Sequence, residues 1–362
     1  MDCNRLPAVR FVLYCAYEWN MPMTSISERM KALKVAGVSL TVINDGKIER
    51  TKGYGVTEAG ASGKVNSHTL FQAASISKTA TAMAAMYLVQ SGKLVLDEDV
   101  NGRLHGWQVP DNNFTKRQRV TLRRLLSHTA GLNVSGFPGY CADEQIPTLT
   151  QVLDGLKPAN TEAIRVCAVP GSACSYSGGG FCVVQKLLAD TCAQHFPNLM
   201  DEYLIRKLEM KESTFRQPLP GDLASSAAVA HKGNGEPLEG KWHVYPEMAA
   251  AGLWTTSSDL ARMAIALQQS AKGLPRSYLT QESAKEMMTP PVTGGMGLGM
   301  GVGGKDDSRV LFMHGANAGF RCVLLMFTET GQGAVVMTNS ENGAELYSQI
   351  LGSIARTYHW PE

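Results

Sequence analysis

The stretch that decides the fold is Phe71-Gln72-Ala73-Ala74-Ser75-Ile76-Ser77-Lys78. From Ser75 to Gln90 the chain is rich in Ala, Met and Leu and contains neither Pro nor Gly, which predicts a buried helix closed by Gly92. Ser75 stands where this helix begins and Lys78 lies three residues further on, so both side chains face the same side. The segment therefore places an amine beside a hydroxyl at a helix N-terminus.

This pair has the chemistry of an activated nucleophile. A serine hydroxyl is a poor nucleophile until a neighbouring base takes its proton. A lysine among cationic or apolar neighbours can have its pKa lowered enough to act as that base. The backbone N–H groups at the helix N-terminus also suit an oxyanion. Ser-x-x-Lys is common by chance, however, and by itself it is equally typical of a capping serine followed by a solvent-facing lysine.

Strand patterns lie at both ends of the chain. The predicted strands are residues 36–43, 47–54, 309–313, 320–328 and 334–339. Asn44-Asp45-Gly46 supplies a hairpin turn between the first two, and a helix over 343–358 follows the last. The pattern predicts an α/β (α+β) fold with a central antiparallel sheet of about five or more strands, flanked by helices and closed by both termini.

The middle of the chain is mostly helical pattern broken by Pro and Gly, with its clearest helices at 121–128 and 258–269. The sequence therefore predicts a discontinuous sheet domain, a mostly helical domain and an N-terminal extension. Their predicted bounds are 30–92 with 291–362, 93–290, and 1–29 respectively.

Composition excludes several classes of protein. Of 362 residues, 44% are hydrophobic and 18% charged, which is typical of a globular chain rather than a disordered one. The 34 basic and 32 acidic residues give a net charge of +2 without a basic stripe, which argues against nucleic-acid binding. There is no apolar run of about 18 residues, so no membrane span is expected.

The N-terminal apolar stretch 11–17 stops at Glu18 without a small-residue cleavage site, so we do not expect a signal peptide. The eight cysteines form no CxxC pair and no His/Cys metal spacing. Five of them fall between 141 and 192, where a local disulfide would fit an exported protein, periplasmic or secreted, and free thiols would fit a cytosolic one. We expect a cytosolic protein with neither metal nor cofactor.

Further segments make the Ser-x-x-Lys pair specific. They are Gly92-Lys93-Leu94-Val95-Leu96-Asp97, Leu125-Leu126-Ser127-His128-Thr129-Ala130-Gly131-Leu132, Tyr176-Ser177-Gly178-Gly179-Gly180, Ala251-Gly252-Leu253-Trp254-Thr255-Thr256 and His314-Gly315-Ala316. In this order the sequence over roughly 30–358 resembles the serine β-lactamase and penicillin-binding-protein-like hydrolases, in the branch that holds class C enzymes, DD-peptidases and family VIII carboxylesterases. The resemblance implies a β-lactamase/transpeptidase-like fold with the active site between the two domains.

The resemblance implies roles for the second motif, which is Tyr-x-Asn in the family. Tyr176 matches the tyrosine; it would lie near Ser75 and Lys78 and share the general-base role with Lys78. Gly178 stands where the family has an asparagine that grips the acyl-amide side chain of peptides and β-lactams. The loss of this amide favours a less demanding ester substrate.

The resemblance aligns His314-Gly315-Ala316 with the family's Lys-Thr-Gly motif, which places these residues beside the substrate. His314 would donate a hydrogen bond to Tyr176 or bind a substrate carboxylate. The backbone N–H groups of Ser75 and Asn317 would form the oxyanion hole.

Other signals have weaker interpretations. Residues 294–304 alternate glycine with apolar residues, which predicts a glycine-tolerant strand near the site rather than a nucleotide loop. Trp242, His243 and Tyr245 are candidates to line an acyl pocket, with core packing as the alternative. His128 is interpreted as a structural element rather than a general base.

The sequence leaves three functions open for a protein whose partner is a small-molecule ester or amide. The leading hypothesis is a carboxylesterase that works through an acyl-enzyme on Ser75. The second is a β-lactamase, DD-peptidase or D-aminopeptidase-like amide hydrolase, supported by His314. The third is a non-hydrolytic scaffold or acyl sensor. Oligomeric state does not follow from the sequence, nor does the choice of Lys78 or Tyr176 as the first base.

Overall fold

A computed structural model describes residues 25–361. The strands are β1 (Gly37–Asn44), β2 (Lys47–Gly55), β3 (Phe71–Gln72), β4 (Trp254–Thr255), β5 (Gly301–Gly303), β6 (Val310–Asn317), β7 (Phe320–Phe327) and β8 (Gly333–Thr338). The α-helices are α1 (Ile26–Leu33), α2 (Ile76–Gln90), α3 (Leu122–Leu126), α4 (Leu149–Asp154), α5 (Gly178–Cys192), α6 (Phe196–Met200), α7 (Gly221–Ala224), α8 (Met248–Ala251), α9 (Ser257–Ala271), α10 (Gln281–Met287) and α11 (Gly343–Tyr358). Val100–Gly102 and Asp306–Ser308 form 3-10 turns, and Asp201–Ile205 forms a π-helical turn.

The apolar stretch 11–17, for which no signal peptide is expected, lies outside the described residues, and so does most of the predicted extension over 1–29. Helix α1 begins at Ile26, before the predicted domain boundary, because Ser25 and Glu28 form a capping box there.

The central sheet has six strands in the order β2-β1-β8-β7-β6-β5, and every neighbouring pair is antiparallel. The predicted α/β fold with a central antiparallel sheet is therefore confirmed. Asp45 and Gly46 have positive φ in the turn between β1 and β2, as a tight hairpin requires. The sixth strand is β5, within the predicted strand over 294–304. A Cβ on Gly301 would lie 2.2 Å from the ring of Phe312, so this strand needs glycine to pair with β6.

Helices cover both faces of the sheet. Helices α1 and α11 pack on one face, and Leu346, Ile350 and Ile354 of α11 are buried there as their spacing predicts. Helices α9 and α2 cover the other face, where Ser257 of α9 hydrogen-bonds Ser39 and Thr41 of β1 at 2.8 Å each. Helix α9 lies within residues 93–290, the predicted helical domain, yet it packs on the central sheet.

Strand β6 runs four residues beyond the predicted strand over 309–313, because its pairing with β7 continues from Val310 to a two-residue turn after Asn317. His314, Gly315 and Ala316 therefore lie inside a strand and not after it. Their side chains must alternate between the two faces of the sheet.

The helical region packs against the Ser75 side of the sheet through one continuous apolar core. The short pair β3–β4 connects the two parts, with Phe71 opposite Thr255 and Gln72 opposite Trp254. This pairing fixes the chain immediately before Ser75. No helix within residues 25–361 combines the length and apolar character that a membrane crossing requires.

Candidate active site

Ser75 lies at the turn from β3 into α2. Ala74 has a positive φ of 47°, an uncommon conformation for a residue with a side chain. The Ala73 N–H donates to Leu253 O at 2.8 Å, which ties this turn to the segment before β4. Ser75 itself is partly exposed, whereas its neighbours Ala74 and Ile76 are buried. The chain thus presents this one hydroxyl at the end of a buried helix.

Lys78 is buried beneath Ser75, with 2% of its surface exposed. Its Nζ lies 3.2 Å from Ser75 Oγ and donates to Ala250 O at 2.8 Å. The serine hydroxyl and the lysine amine are therefore in direct hydrogen-bond contact, as the helical spacing predicts. A carbonyl of α8 holds the amine in place, and this contact could not be predicted from the sequence.

Tyr176 lies beside Lys78, with the lysine Nζ 5.1 Å from the centre of the phenol ring. The ring packs on His128 with centroids 4.4 Å apart and a tilt of 32°. The structure therefore brings together Ser75, Lys78 and Tyr176, three of the four residues predicted to be catalytic.

His128 contacts Tyr176, a neighbourhood that sequence reasoning missed. Its Nδ1 accepts a hydrogen bond from Ser177 N–H at 3.1 Å, and its φ is 59°. Burial, together with the nearby charge of Lys78, lowers its pKa to about 3, so the imidazole is neutral at ordinary pH. It is built to position Tyr176 and Ser177 rather than to carry charge. Its place inside the Leu-Leu-Ser-His-Thr-Ala-Gly segment was the only sequence signal for this.

Gly178 begins α5 directly after Ser177, whose Oγ accepts from Gly180 N–H at 2.9 Å and caps the helix. A Cβ at position 178 would lie 3.0 Å from Phe137 Cε2 and 3.1 Å from Ser135 O. Both distances are tighter than ordinary carbon contacts. A Cβ at this position would therefore require the preceding loop to shift by a few tenths of an ångström.

The predicted role of His314 is wrong in this geometry. Its Nδ1 lies 3.2 Å from the Tyr347 hydroxyl on α11, and its ring packs on Tyr347 and Phe312. This is the face of the sheet opposite Ser75. The reason is Gly315, whose added Cβ would lie 2.3 Å from Ala73 O, so position 315 faces the nucleophile's turn and its neighbour must face away.

The hydrogen-bond pattern of β6 also corrects the predicted oxyanion hole. Thr328 N–H donates to Arg309 O at 3.0 Å, and the same register continues along β6 and β7. Hydrogen-bonded and non-hydrogen-bonded pairs alternate in an antiparallel ladder, so Asn317 N–H is directed to β7 and Ala316 N–H to the opposite edge. Strand β5 covers that edge only as far as Phe312. Ala316, and not Asn317, therefore has its N–H directed off the ladder.

The side chain of Asn317 has a structural task instead. Its Nδ2 donates to Gln72 Oε1 at 2.7 Å and to Ala251 O at 3.2 Å, and the side chain is buried. Helix α8 thus accepts two hydrogen bonds from the site: Ala250 O accepts one from Lys78, and Ala251 O accepts one from Asn317.

Trp242 and Tyr245 are both involved in packing. Trp242 contacts Trp254 edge to face, with centroids 5.1 Å apart. Tyr245 is fully buried, and its hydroxyl accepts from Ala318 N–H at 3.0 Å and donates to Pro138 O at 3.3 Å. Tyr245 therefore supports the hairpin after β6, which favours the core-packing interpretation that the sequence left open.

Glu247 precedes α8 and is fully buried. Neither of its carboxyl oxygens has a hydrogen-bond partner within residues 25–361. Burial raises its pKa to about 8, so the group is protonated at neutral pH. The same residues contain no cluster of three or more His, Cys, Asp or Glu side chains arranged to hold a metal ion.

Comparison with known proteins agrees with this geometry. The family described as Beta-lactamase matches residues 24–357. The chain is 24% identical over 330 residues to a putative penicillin-binding protein, PbpX, of Bacillus subtilis, covering 89% of this chain and 75% of that protein. It is 28% identical over 242 residues to a beta-lactamase of Pseudomonas fluorescens, covering 66% of this chain and 61% of that one, which is less than two thirds of its length.

Solved structures share the fold. An octameric penicillin-binding protein homologue from Pyrococcus abyssi superposes with a TM-score of 0.74 at 20% identity, over 95% of this chain and 77% of that one. A beta-lactamase/D-alanine carboxypeptidase from Yersinia pestis, solved with citrate, gives a TM-score of 0.70 at 18% identity, over 97% and 99% of the two chains.

Proposed function

This chain belongs to the beta-lactamase family of serine hydrolases, and we propose that it is a carboxylesterase that forms an acyl-enzyme on Ser75. The observation that carries the proposal is the 3.2 Å contact between Ser75 Oγ and the buried Lys78 Nζ. A nucleophile within hydrogen-bond reach of a base that a third group orients is the arrangement that covalent catalysis needs, and Ala250 O is that third group here.

In the proposed reaction Ser75 Oγ attacks the ester carbonyl carbon while its proton passes to Lys78 or to Tyr176 beside it. The carbonyl oxygen becomes an oxyanion held by the N–H groups of Ser75 and Ala316. The C–O bond to the alcohol then breaks, and the alcohol leaves with the proton. Water attacks the acyl-enzyme and gives one proton to the same base, which returns it to Ser75 Oγ as the acyl C–O bond breaks and the carboxylic acid leaves.

An ester is favoured over an amide by position 178. The residue there carries no side-chain amide, and Phe137 and Ser135 crowd the position that a Cβ would take. A site without that amide offers one hydrogen-bonding partner fewer to an acyl-amide substrate, and unpaired buried polar groups are costly. The site demands less of an ester with a plain acyl group.

The second candidate is hydrolysis of β-lactams or D-amino-acid amides. It draws support from the relatives, because one is named a beta-lactamase and another a putative penicillin-binding protein. The side chain of His314, which was expected to bind a carboxylate of such substrates, lies on the other face of the sheet. The contact of Ser75 with Lys78 serves an amide substrate as well as an ester, so the two candidates differ only in the substrate.

The test is hydrolysis of p-nitrophenyl butyrate by the wild type, Ser75→Ala and Ser91→Ala. Ser91 is an exposed serine at the far end of the same helix, with its Oγ bonded to Leu88 O at 3.0 Å, so it is a matched control. We expect turnover that Ser75→Ala abolishes and Ser91→Ala leaves unchanged, and a fluorophosphonate probe should label only enzymes with Ser75.

Failure has two forms. A wild type without ester turnover that forms a penicillin adduct on Ser75 would favour the amide hydrolase. A wild type that neither hydrolyses esters nor reacts with either probe would favour a non-hydrolytic member.

A further inference from the structure

We propose that Phe137 sets the substrate class by forming an apolar wall for the acyl group, so that the enzyme prefers esters of plain aliphatic acids. This inference rests on the proposed function, since it concerns the acyl half of the substrate of Ser75. The ring lies against the position that a Cβ on Gly178 would take, where the family has a residue with a side-chain amide. The acyl group would then make an apolar contact with Phe137 in place of a hydrogen bond with a side-chain amide.

The first observation is the contact between the loop and α5. The Phe137 ring lies within 3.0 Å of the place where a Cβ on Gly178 would be. Gly178 N–H donates to Ser135 O at 3.2 Å and Gly179 N–H to Val134 O at 2.9 Å. The loop carrying Phe137 is therefore hydrogen-bonded to the first turn of α5, two residues after Tyr176.

The second observation is that the other side of the loop is also fixed. Pro138 O accepts hydrogen bonds from His243 Nδ1–H at 2.9 Å and from the Tyr245 hydroxyl at 3.3 Å. The Tyr245 hydroxyl in turn accepts from Ala318 N–H, next to the strand that carries Ala316. The loop that carries Phe137 is thus hydrogen-bonded to α5 on one side and, through Tyr245, to the turn after β6 on the other.

The third observation concerns chemistry. Phe137 is half-buried and packs against the main apolar core, so the residue is not wholly enclosed by the protein. A phenyl ring offers no hydrogen bond to a substrate amide, but it gains from each methylene placed against it. Full burial of a methylene strengthens binding by roughly fourfold. Selectivity should therefore grow with aliphatic chain length.

The first experiment measures kcat/KM for p-nitrophenyl acetate, butyrate and octanoate with the wild type, Phe137→Leu, Phe137→Ala and Phe114→Ala. Phe114 is an exposed phenylalanine in a separate loop and serves as the matched control. We expect Phe137→Ala to lower the octanoate-to-acetate ratio by about tenfold, Phe137→Leu to keep most of it, and Phe114→Ala to leave it unchanged.

The second experiment tests the competition for space by comparing Gly178→Asn, Phe137→Ala and the double variant. Gly178→Asn alone should lower the melting temperature, because the new side chain meets the Phe137 ring. Adding Gly178→Asn to Phe137→Ala should cost less melting temperature than adding it to the wild type, because only the Ser135 O contact remains, and the double variant should hydrolyse D-amino-acid amides faster than the wild type. Equal effects of Gly178→Asn with and without Phe137 would overturn the proposed competition.

The two proposals fail in different ways. Absence of Ser75-dependent ester turnover would refute the proposed function and the acyl preference together. Full Ser75-dependent turnover with an unchanged octanoate-to-acetate ratio in Phe137→Ala would refute only the role of Phe137.

Discussion

The start of α2 and the end of β6 are two short motifs that meet at one site, yet their sequences carry different amounts of information. In α2, Ser75 and Lys78 are three residues apart and must share a helix face, so their contact follows from local geometry. In β6, His314 and Gly315 are adjacent and must face opposite sides of the sheet. Spacing alone shows which residues of a helical motif share a face. For a motif on a strand, one must also know which face of the sheet its first residue occupies.

The phase of β6 is set by one glycine. Gly315 passes so close to Ala73 O that a Cβ there would lie 2.3 Å from it. Met313, on the same face, is buried in the core that surrounds α2, and His314 packs on α11. A one-residue change of phase would exchange these roles, as for any strand buried on both faces.

The largest expected effect separates the two motifs directly. Lys78→Met removes the amine beside Ser75 and should lower kcat/KM for p-nitrophenyl butyrate by about 10³-fold, since a positioned base contributes about 10²- to 10⁴-fold. His314→Gln should change it by less than about threefold, because this side chain faces α11. Melting temperatures identify any loss that comes from unfolding. A folded His314→Gln variant that lost as much activity as Lys78→Met would show that His314 acts in the site, contrary to this comparison.

A smaller effect sharpens the assignment within β6. Ala316→Pro removes an N–H that is directed off the ladder, which strand edges tolerate. We expect kcat to fall by about 10²-fold, as for loss of one oxyanion-hole donor, whereas Ala316→Gly keeps the N–H and should retain most of the activity. Circular dichroism verifies that both variants keep the sheet. A folded Ala316→Pro with the wild-type rate would show that the oxyanion is held elsewhere.

The smallest effect on activity is expected at α8, the helix that accepts hydrogen bonds from both motifs, where the change is in the free energy of unfolding. Folding raises the pKa of Glu247 from its ordinary 4.5 to about 8, so between these values the folded chain keeps a proton that the unfolded chain has released. The free energy of unfolding must then fall as pH rises through this window, by up to about 1.4 kcal/mol per pH unit. Glu247→Gln has no such proton and should lose this slope.

The measurement is urea unfolding at about pH 5 and about pH 8, where Glu247→Gln should gain stability relative to the wild type as pH rises. Glu239→Gln, at an exposed position, is the control and should follow the wild type. Parallel curves for the wild type and Glu247→Gln would show that the buried carboxyl does not carry the pH dependence.

Much of the fold could be predicted because its signals are local. The turn Asn44-Asp45-Gly46, the helix that starts at Ser75 and the apolar face of α11 each depend on residues close in the chain, and all three appear in the structure. The end of β6 could not be placed, because Gly315 and Asn317 are polar or small and interrupt the apolar run that predicts a strand.

The sequence by itself determined the family, the antiparallel sheet and the contact of Ser75 with Lys78, because each rests on ordered motifs or on spacing along one element. Only the tertiary structure decided that His314 faces α11, that Ala316 directs its N–H off the ladder and that Phe137 occupies the space beside Gly178. These three depend on which distant segments come into contact in the folded chain. Spacing along one chain carries no record of such contacts, since the phase of a strand is fixed by the partner it packs against.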